Sequence, residues 1–271
     1  MRPKRHSVVL AAVLLFLCTT LFSAGTAPAG AATASPYGAN DWACRPTAAH
    51  PYPVVLVHGT YGDQKSLFEY LSWSVKVSGY CVFALDYGLH GTNAVAQSAA
   101  ELKAFVDRVL AATGAAKVSI VGHSQGGMMP RYYIKFLGGA DRVDDLVGIA
   151  PSNHGTTWRG LLTLVPNFYC RACYDQMAGS PFLTQLNAGD ETPGAVSYTT
   201  VVSTSDVILA PSSSGFLSGP GTTNIRIQDL CPADAVDHIK APQDPAIIRV
   251  ALNALGIPGP ASPTFRPKCT W

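Results

Sequence analysis

Five short apolar runs punctuate the chain, at residues 53–57, 81–85, 118–121, 146–150 and 198–202. Unbroken apolar runs of this length fit strands covered on both faces, as in a parallel sheet. Between them, apolar positions recur at helical spacing. Leu67, Tyr70, Leu71 and Val75 form one such stripe, and Ala99, Leu102, Phe105, Val106, Val109 and Leu110 form another. Residues 224–228 supply a last strand and residues 244–255 a closing helix. The alternation predicts an α/β fold: a mostly parallel, doubly wound central sheet flanked by helices. One stretch, from Pro151 to Pro193, contains no clear strand. Within it Trp158, Leu161, Leu162, Val165 and Tyr169 would share one face of a short helix, packed into the core or walling a pocket. Residues 151–195 are therefore expected to form a small cap-like or lid-like insertion.

The chain opens with Arg2, Lys4 and Arg5, an apolar run over 8–22, and then small residues with A-x-A sites at 29–31 and 32–34. That order reads as a signal peptide over residues 1–34, removed on export. The rival reading, a membrane anchor, needs a longer run of about 20 apolar residues. Residues 35–271 then form the single folded domain, and the protein is expected to be secreted. Losing the three head charges takes the formal charge from +2 to −1, which gives no footing for nucleic-acid binding. Six cysteines remain: Cys44, Cys81, Cys170, Cys173, Cys231 and Cys269. An even count in an exported chain predicts three disulfides, though the count alone leaves the pairing open. Cys170 and Cys173 have the spacing of redox and zinc sites. No second CxxC or HxxxH accompanies them, and no strand leads into them, so a tight structural disulfide is the better reading.

The chemistry centres on Gly122-His123-Ser124-Gln125-Gly126, a G-x-S-x-G pattern. The pattern alone is weak. Its setting is not: the strand-like 118–121 precedes it, and Met129, Tyr132, Tyr133, Phe136 and Leu137 follow at helical spacing. Strand, sharp turn and helix make a nucleophile elbow, which lifts the serine hydroxyl above the sheet at a helix N-terminus. Pro130, six residues on, must kink that helix or cost it a hydrogen bond. A neutral hydroxyl needs a base, and on such a sheet the chain order is serine, acid, histidine. Only His154 and His238 follow Ser124, and His154 comes too soon to leave room for an acid-bearing strand. His238 is thus the expected base. Asp206 directly follows the β-branched run at 198–205 and is the expected acid, ahead of Asp237, Asp229, Asp234, Asp175 and Asp190. Val57-His58-Gly59-Thr60 ends the first strong strand as an oxyanion loop would. The backbone N–H groups of Thr60 and Gln125 are the expected donors, with the Thr60 hydroxyl as a third. His58 and His123 are expected to buttress their loops.

At these residues the sequence resembles the secreted bacterial class 2 lipases of the α/β-hydrolase superfamily. The segments at 52–60 and 122–127, the turn at 204–206 and Val236-Asp237-His238 carry the likeness. A more distant similarity to fungal lipase B lies in Gly59-Thr60, in 124–127 and in the placement of Cys81 and Cys231. The resemblance implies the α/β-hydrolase fold and triacylglycerol lipase or carboxylesterase activity. It also implies the pairings Cys44–Cys81, Cys231–Cys269 and Cys170–Cys173. The substrate is expected to be a lipid or small ester met transiently at a lipid interface, by a monomeric enzyme with no cofactor and no metal. Acyl transfer to another alcohol, or binding by a catalytically dead scaffold, are the alternatives. An intact Ser124, Asp206 and His238 argue against the second.

Overall fold

In the computed structural model, residues 34–156 and 166–271 are described. The expected signal segment, save for its last residue, lies outside them, as do Trp158, Leu161, Leu162 and Val165 of the apolar stripe. Six parallel strands form one sheet: β1 (Val54–Val57), β2 (Val82–Leu85), β3 (Val118–His123), β4 (Val143–Ile149), β5 (Ser197–Val202) and β6 (Thr222–Arg226). Their spatial order is β2-β1-β3-β4-β5-β6. The chain steps one way from β1 to β2, then crosses back and builds outward from β3. The carboxyl ends of β1 and β3 therefore flank the point where the direction of winding reverses. In open α/β sheets, that crevice is where sites form.

Side chains alternate along each strand between two buried layers. Val55, Val57, Phe83, Leu85 and Ile120 pack with Leu102, Val106 and Met129 on one face. Val54, Leu56, Val82, Ala84 and Val121 pack with Phe68, Leu71 and Val250 on the other. The first layer is covered by α2 (Val95–Thr113) and α3 (Gln125–Phe136), the second by α1 (Gln64–Val77) and α6 (Pro245–Gly256). Their ends are set by local chemistry. Asp63 caps α1 by accepting from Ser66 N at 2.8 Å, and Asp244 caps α6 with Pro245 as its first residue. Gly114, at φ 73°, closes α2 in the left-handed conformation. Two short helices, α4 (Arg171–Asp175) and α5 (Pro181–Asn187), lie in the irregular stretch. Among the described residues no helix is long and apolar enough to cross a membrane.

The three disulfides join Cys44 to Cys81, Cys170 to Cys173 and Cys231 to Cys269. The first and third span 37 and 38 residues. Closing loops of that size stabilises a fold by about 4 kcal/mol each in the chain-entropy model. Cys231–Cys269 also ties the tail to the start of the loop that carries His238.

β4 begins earlier than its apolar run because Val143-Asp144-Asp145 hides two carboxylates in a strand. Asp145 is buried, and the Ser119 hydroxyl donates to its Oδ2 at 2.9 Å. Burial pushes its carboxyl up to about 7. The native state then holds a proton that the unfolded chain releases near pH 4, so stability falls as pH rises through that window. Asp145→Asn keeps the shape without the charge. The stability gap between variant and wild type is expected to open from pH 4 upward, reaching on the order of 2–4 kcal/mol at pH 8. Melting curves across that range check it, and a gap that stays constant with pH would refute it.

Candidate active site

Ser124 occupies the bend between β3 and α3 with φ 56° and ψ −120°, a conformation that L-residues rarely adopt. Close packing around two glycines imposes the bend. A methyl group on Gly122 would collide with the Gly126 carbonyl, and one on Gly126 with the carbonyls of Val57 and His58. Pro130 fits this arrangement. It has no N–H to give the Gly126 carbonyl, which lies against Gly122 instead, and α3 runs on unbroken through it. The backbone of the bend is fastened by Ser124 N to the Ile149 carbonyl at 2.9 Å and Gly127 N to the Ser124 carbonyl at 3.0 Å.

The structure brings Ser124, His238 and Asp206 together in one hydrogen-bonded row. His238 Nδ1 lies 2.6 Å from Asp206 Oδ2, and His238 Nε2 lies 2.9 Å from Ser124 Oγ. A carboxylate can only accept, so Nδ1 carries the proton and Nε2 presents its lone pair to the serine hydroxyl. Asp206 is buried at the end of β5, and its Oδ1 accepts from Ile208 N at 2.9 Å and Leu209 N at 2.8 Å. His238 sits between β6 and α6 on a loop tied to that of Asp206, where the Ser203 hydroxyl donates to the Val236 carbonyl at 2.7 Å.

The competing carboxylates are occupied elsewhere. Asp237 accepts from Lys240 N, Asp234 from Val236 N, Asp190 from Thr192 N and Asp175 from Val95 N, while Asp229 pairs with Arg226. His154 bonds Glu191 Oε1 at 2.9 Å instead of Ser124. His123 donates from Nε2 to the His238 carbonyl at 2.8 Å, holding the backbone of His238. Burial drives its pKa well below the ordinary histidine value, so the ring is neutral. His58 donates from Nδ1 to the Gly59 carbonyl at 2.8 Å and stacks on Tyr87, with its pKa also lowered by burial.

Gly59 brings the loop after β1 against the elbow: a Cβ there would lie 3.0 Å from that of Ser124. Among the described residues, none accepts a hydrogen bond from the backbone N–H of Thr60 or of Gln125. The Thr60 hydroxyl proton is committed, however. It goes to Gln125 Oε1 at 2.6 Å rather than to the open site. A cavity of about 250 Å³ opens over Ser124, its wall largely apolar and formed by Tyr61, Thr156, Cys173, Ile208, Leu209 and Ile239. Gln176 and Ser152 complete the wall on the polar side. Tyr61, Ile208, Leu209 and Ile239 had no sequence signal, since each is a single residue in an irregular segment. Among the described residues no group of three His, Cys, Asp or Glu side chains is arranged to hold a metal ion.

The family model for lipase (class 2) matches residues 51–249, which contain every residue of this site. The chain belongs to the class 2 lipase family. Among curated relatives, a triacylglycerol lipase of Pseudarthrobacter phenanthrenivorans is 39% identical over 97 residues, covering 31% of this chain and 28% of that protein. A triacylglycerol lipase of Vibrio cholerae serotype O1 is 34% identical over 119 residues, 37% of this chain and 38% of its own length. The matches thus span about a quarter to two-fifths of the lengths of those curated relatives. Aspergillus fumigatus lipase B shares the fold with a TM-score of 0.72 at 23% identity, over 85% of this chain and 57% of that one. A Bacillus licheniformis lipase in mature form shares it at TM-score 0.57 and 20% identity, over 79% and 95%. The alternation predicted a doubly wound α/β sheet and the resemblance implied the α/β-hydrolase fold; these likenesses bear out both.

Proposed function

We propose that this class 2 lipase hydrolyses carboxylic esters of lipids, triacylglycerols among them, through an acyl-enzyme on Ser124. The observation that carries the reading is the continuous row Asp206–His238–Ser124 opening into an apolar cavity. His238 Nε2 takes the hydroxyl proton as Ser124 Oγ attacks the ester carbonyl. The carbonyl oxygen, now negative, settles on the Thr60 and Gln125 N–H groups, each such donor typically contributing about 3–4 kcal/mol to lowering the barrier. Collapse expels the alcohol, protonated by His238, and water then repeats the cycle to release the acid. Asp206 fixes the tautomer of His238 and steadies the imidazolium.

In this reading residues 35–271 are the catalytic domain and 151–195 wall the acyl pocket, as Ser152, Thr156, Cys173 and Gln176 do along its lining. Exposed Tyr61, Val207 and Ile239 lie on or beside that lining and would meet a lipid surface in passing. The three disulfides support work outside the cell, with residues 1–34 as the export signal.

The test is rates on p-nitrophenyl esters of rising chain length and on emulsified triglyceride, together with labelling by a fluorophosphonate. Hydrolysis with the probe attached to the Ser124 peptide is the expected result. No turnover at any chain length and no label would overturn the proposal.

A further inference from the structure

Behind the two proposed oxyanion donors lies a ring of polar side chains. Gln176 Nε2 donates to Thr60 Oγ1 at 2.8 Å and reaches Gln125 Oε1 at 3.3 Å, and Thr60 Oγ1 donates to Gln125 Oε1 at 2.6 Å. The same Nε2 donates to the Ala172 carbonyl at 3.1 Å, while Gln176 Oε1 accepts from the Ser152 hydroxyl at 2.8 Å. Turned the other way, the amide would set its oxygen against two carbonyl oxygens, so only this orientation fits. The residue is buried, and its backbone is pinned on both sides. Its N–H donates to the Ala172 carbonyl at 3.0 Å, and its carbonyl accepts from Thr156 N at 3.1 Å. It directly follows α4, whose N-cap Cys170 is bridged to Cys173.

We infer that Gln176 is a positioning residue, which sets the two oxyanion-hole amides by gripping the side chains of the residues that carry them. The inference rests on the proposed ester hydrolysis and deepens it. A merely structural Gln176 would hold the 151–195 segment to the sheet and affect stability alone. A positioning Gln176 acts on the transition state, because Thr60 and Gln125 must hold their N–H groups on a charge absent from the bound ester.

The test uses the full chain, a short p-nitrophenyl ester and active sites counted by fluorophosphonate labelling of Ser124, so that misfolded protein drops out. Per labelled serine, Gln176→Leu is expected to lower kcat about tenfold to a hundredfold, the scale of a small misplacement, with KM within about threefold. Gln176→Glu supplies the second arm. Its ionised carboxylate can accept from Thr60 but cannot donate to Gln125 Oε1 or the Ala172 carbonyl. Protonation restores one donor, so kcat relative to wild type should climb as pH falls. Wild-type kcat in the leucine variant, or a ratio for the glutamate variant that is flat with pH, would overturn the inference. Wild-type protein that turns over no ester would instead remove the reading beneath it.

Discussion

Ser124→Ala is expected to lower kcat for ester hydrolysis by about 10⁶-fold, or roughly 8 kcal/mol of barrier, while the protein unfolds within a few degrees of wild type. The size follows from what the side chain does. Among the described residues its Oγ bonds His238 Nε2, and it faces the cavity. Without it His238 has no hydroxyl to deprotonate, and the two amides can only assist attack by water. The small effect on stability follows from the bend itself. The left-handed backbone at residue 124 is held by Gly122, Gly126 and the bonds to Ile149 and Gly127. Alanine carries the same Cβ as serine and adds no strain there. The variant should also refuse a fluorophosphonate. Turnover near the wild-type rate would remove Ser124 from the mechanism, whatever the packing around it.

How far the chain could be read follows from how local each signal is. The sheet was legible because the central strands are buried on both faces, so apolar and β-branched residues dominate them, and the two layers divide the odd from the even positions. β4 was the partial exception: Asp144 and Asp145 disguise its start, where Asp145 is buried with a bond from Ser119 and its carboxyl is pushed up by burial. The elbow was legible because glycine is required at both 122 and 126 by contacts with the strand's own neighbours. Asp206 and His238 could be placed from chain order and strand ends. Gln176 could not. Its partners lie 116 and 51 residues away, and an amide in an irregular segment carries no periodicity to mark it. Ile208, Leu209 and Ile239 were hidden for the same reason, since loop residues become a pocket wall only once the fold brings the loops together. The Thr60 hydroxyl was assigned to the oxyanion because its neighbour Gln125 was seen only as a backbone donor. The side chain of Gln125 takes that proton.

Asp206→Asn is expected to cost about 10⁴-fold in kcat, although it removes only one charge and hardly alters shape. The carboxylate divides its work between its two oxygens. Oδ1 accepts the N–H groups of Ile208 and Leu209, and Oδ2 accepts from His238 Nδ1. An asparagine has one oxygen, and the two backbone donors at 2.9 and 2.8 Å claim it. Its NH₂ group must then face Nδ1, which can accept that bond only by giving up its proton. The proton moves to Nε2 and points at Ser124 Oγ, where a lone pair is needed. Asp206→Ala should separate tautomer from stability. It leaves His238 free to choose its tautomer but strands two backbone donors, each costing about 1–3 kcal/mol where buried. The asparagine variant should therefore be the more stable of the two without being the more active. Nitrogen NMR of the His238 ring should show the proton on Nδ1 in wild type and on Nε2 in the asparagine variant. A ring still protonated at Nδ1 in that variant, or kcat within tenfold of wild type, would show that Asp206 does not govern the base.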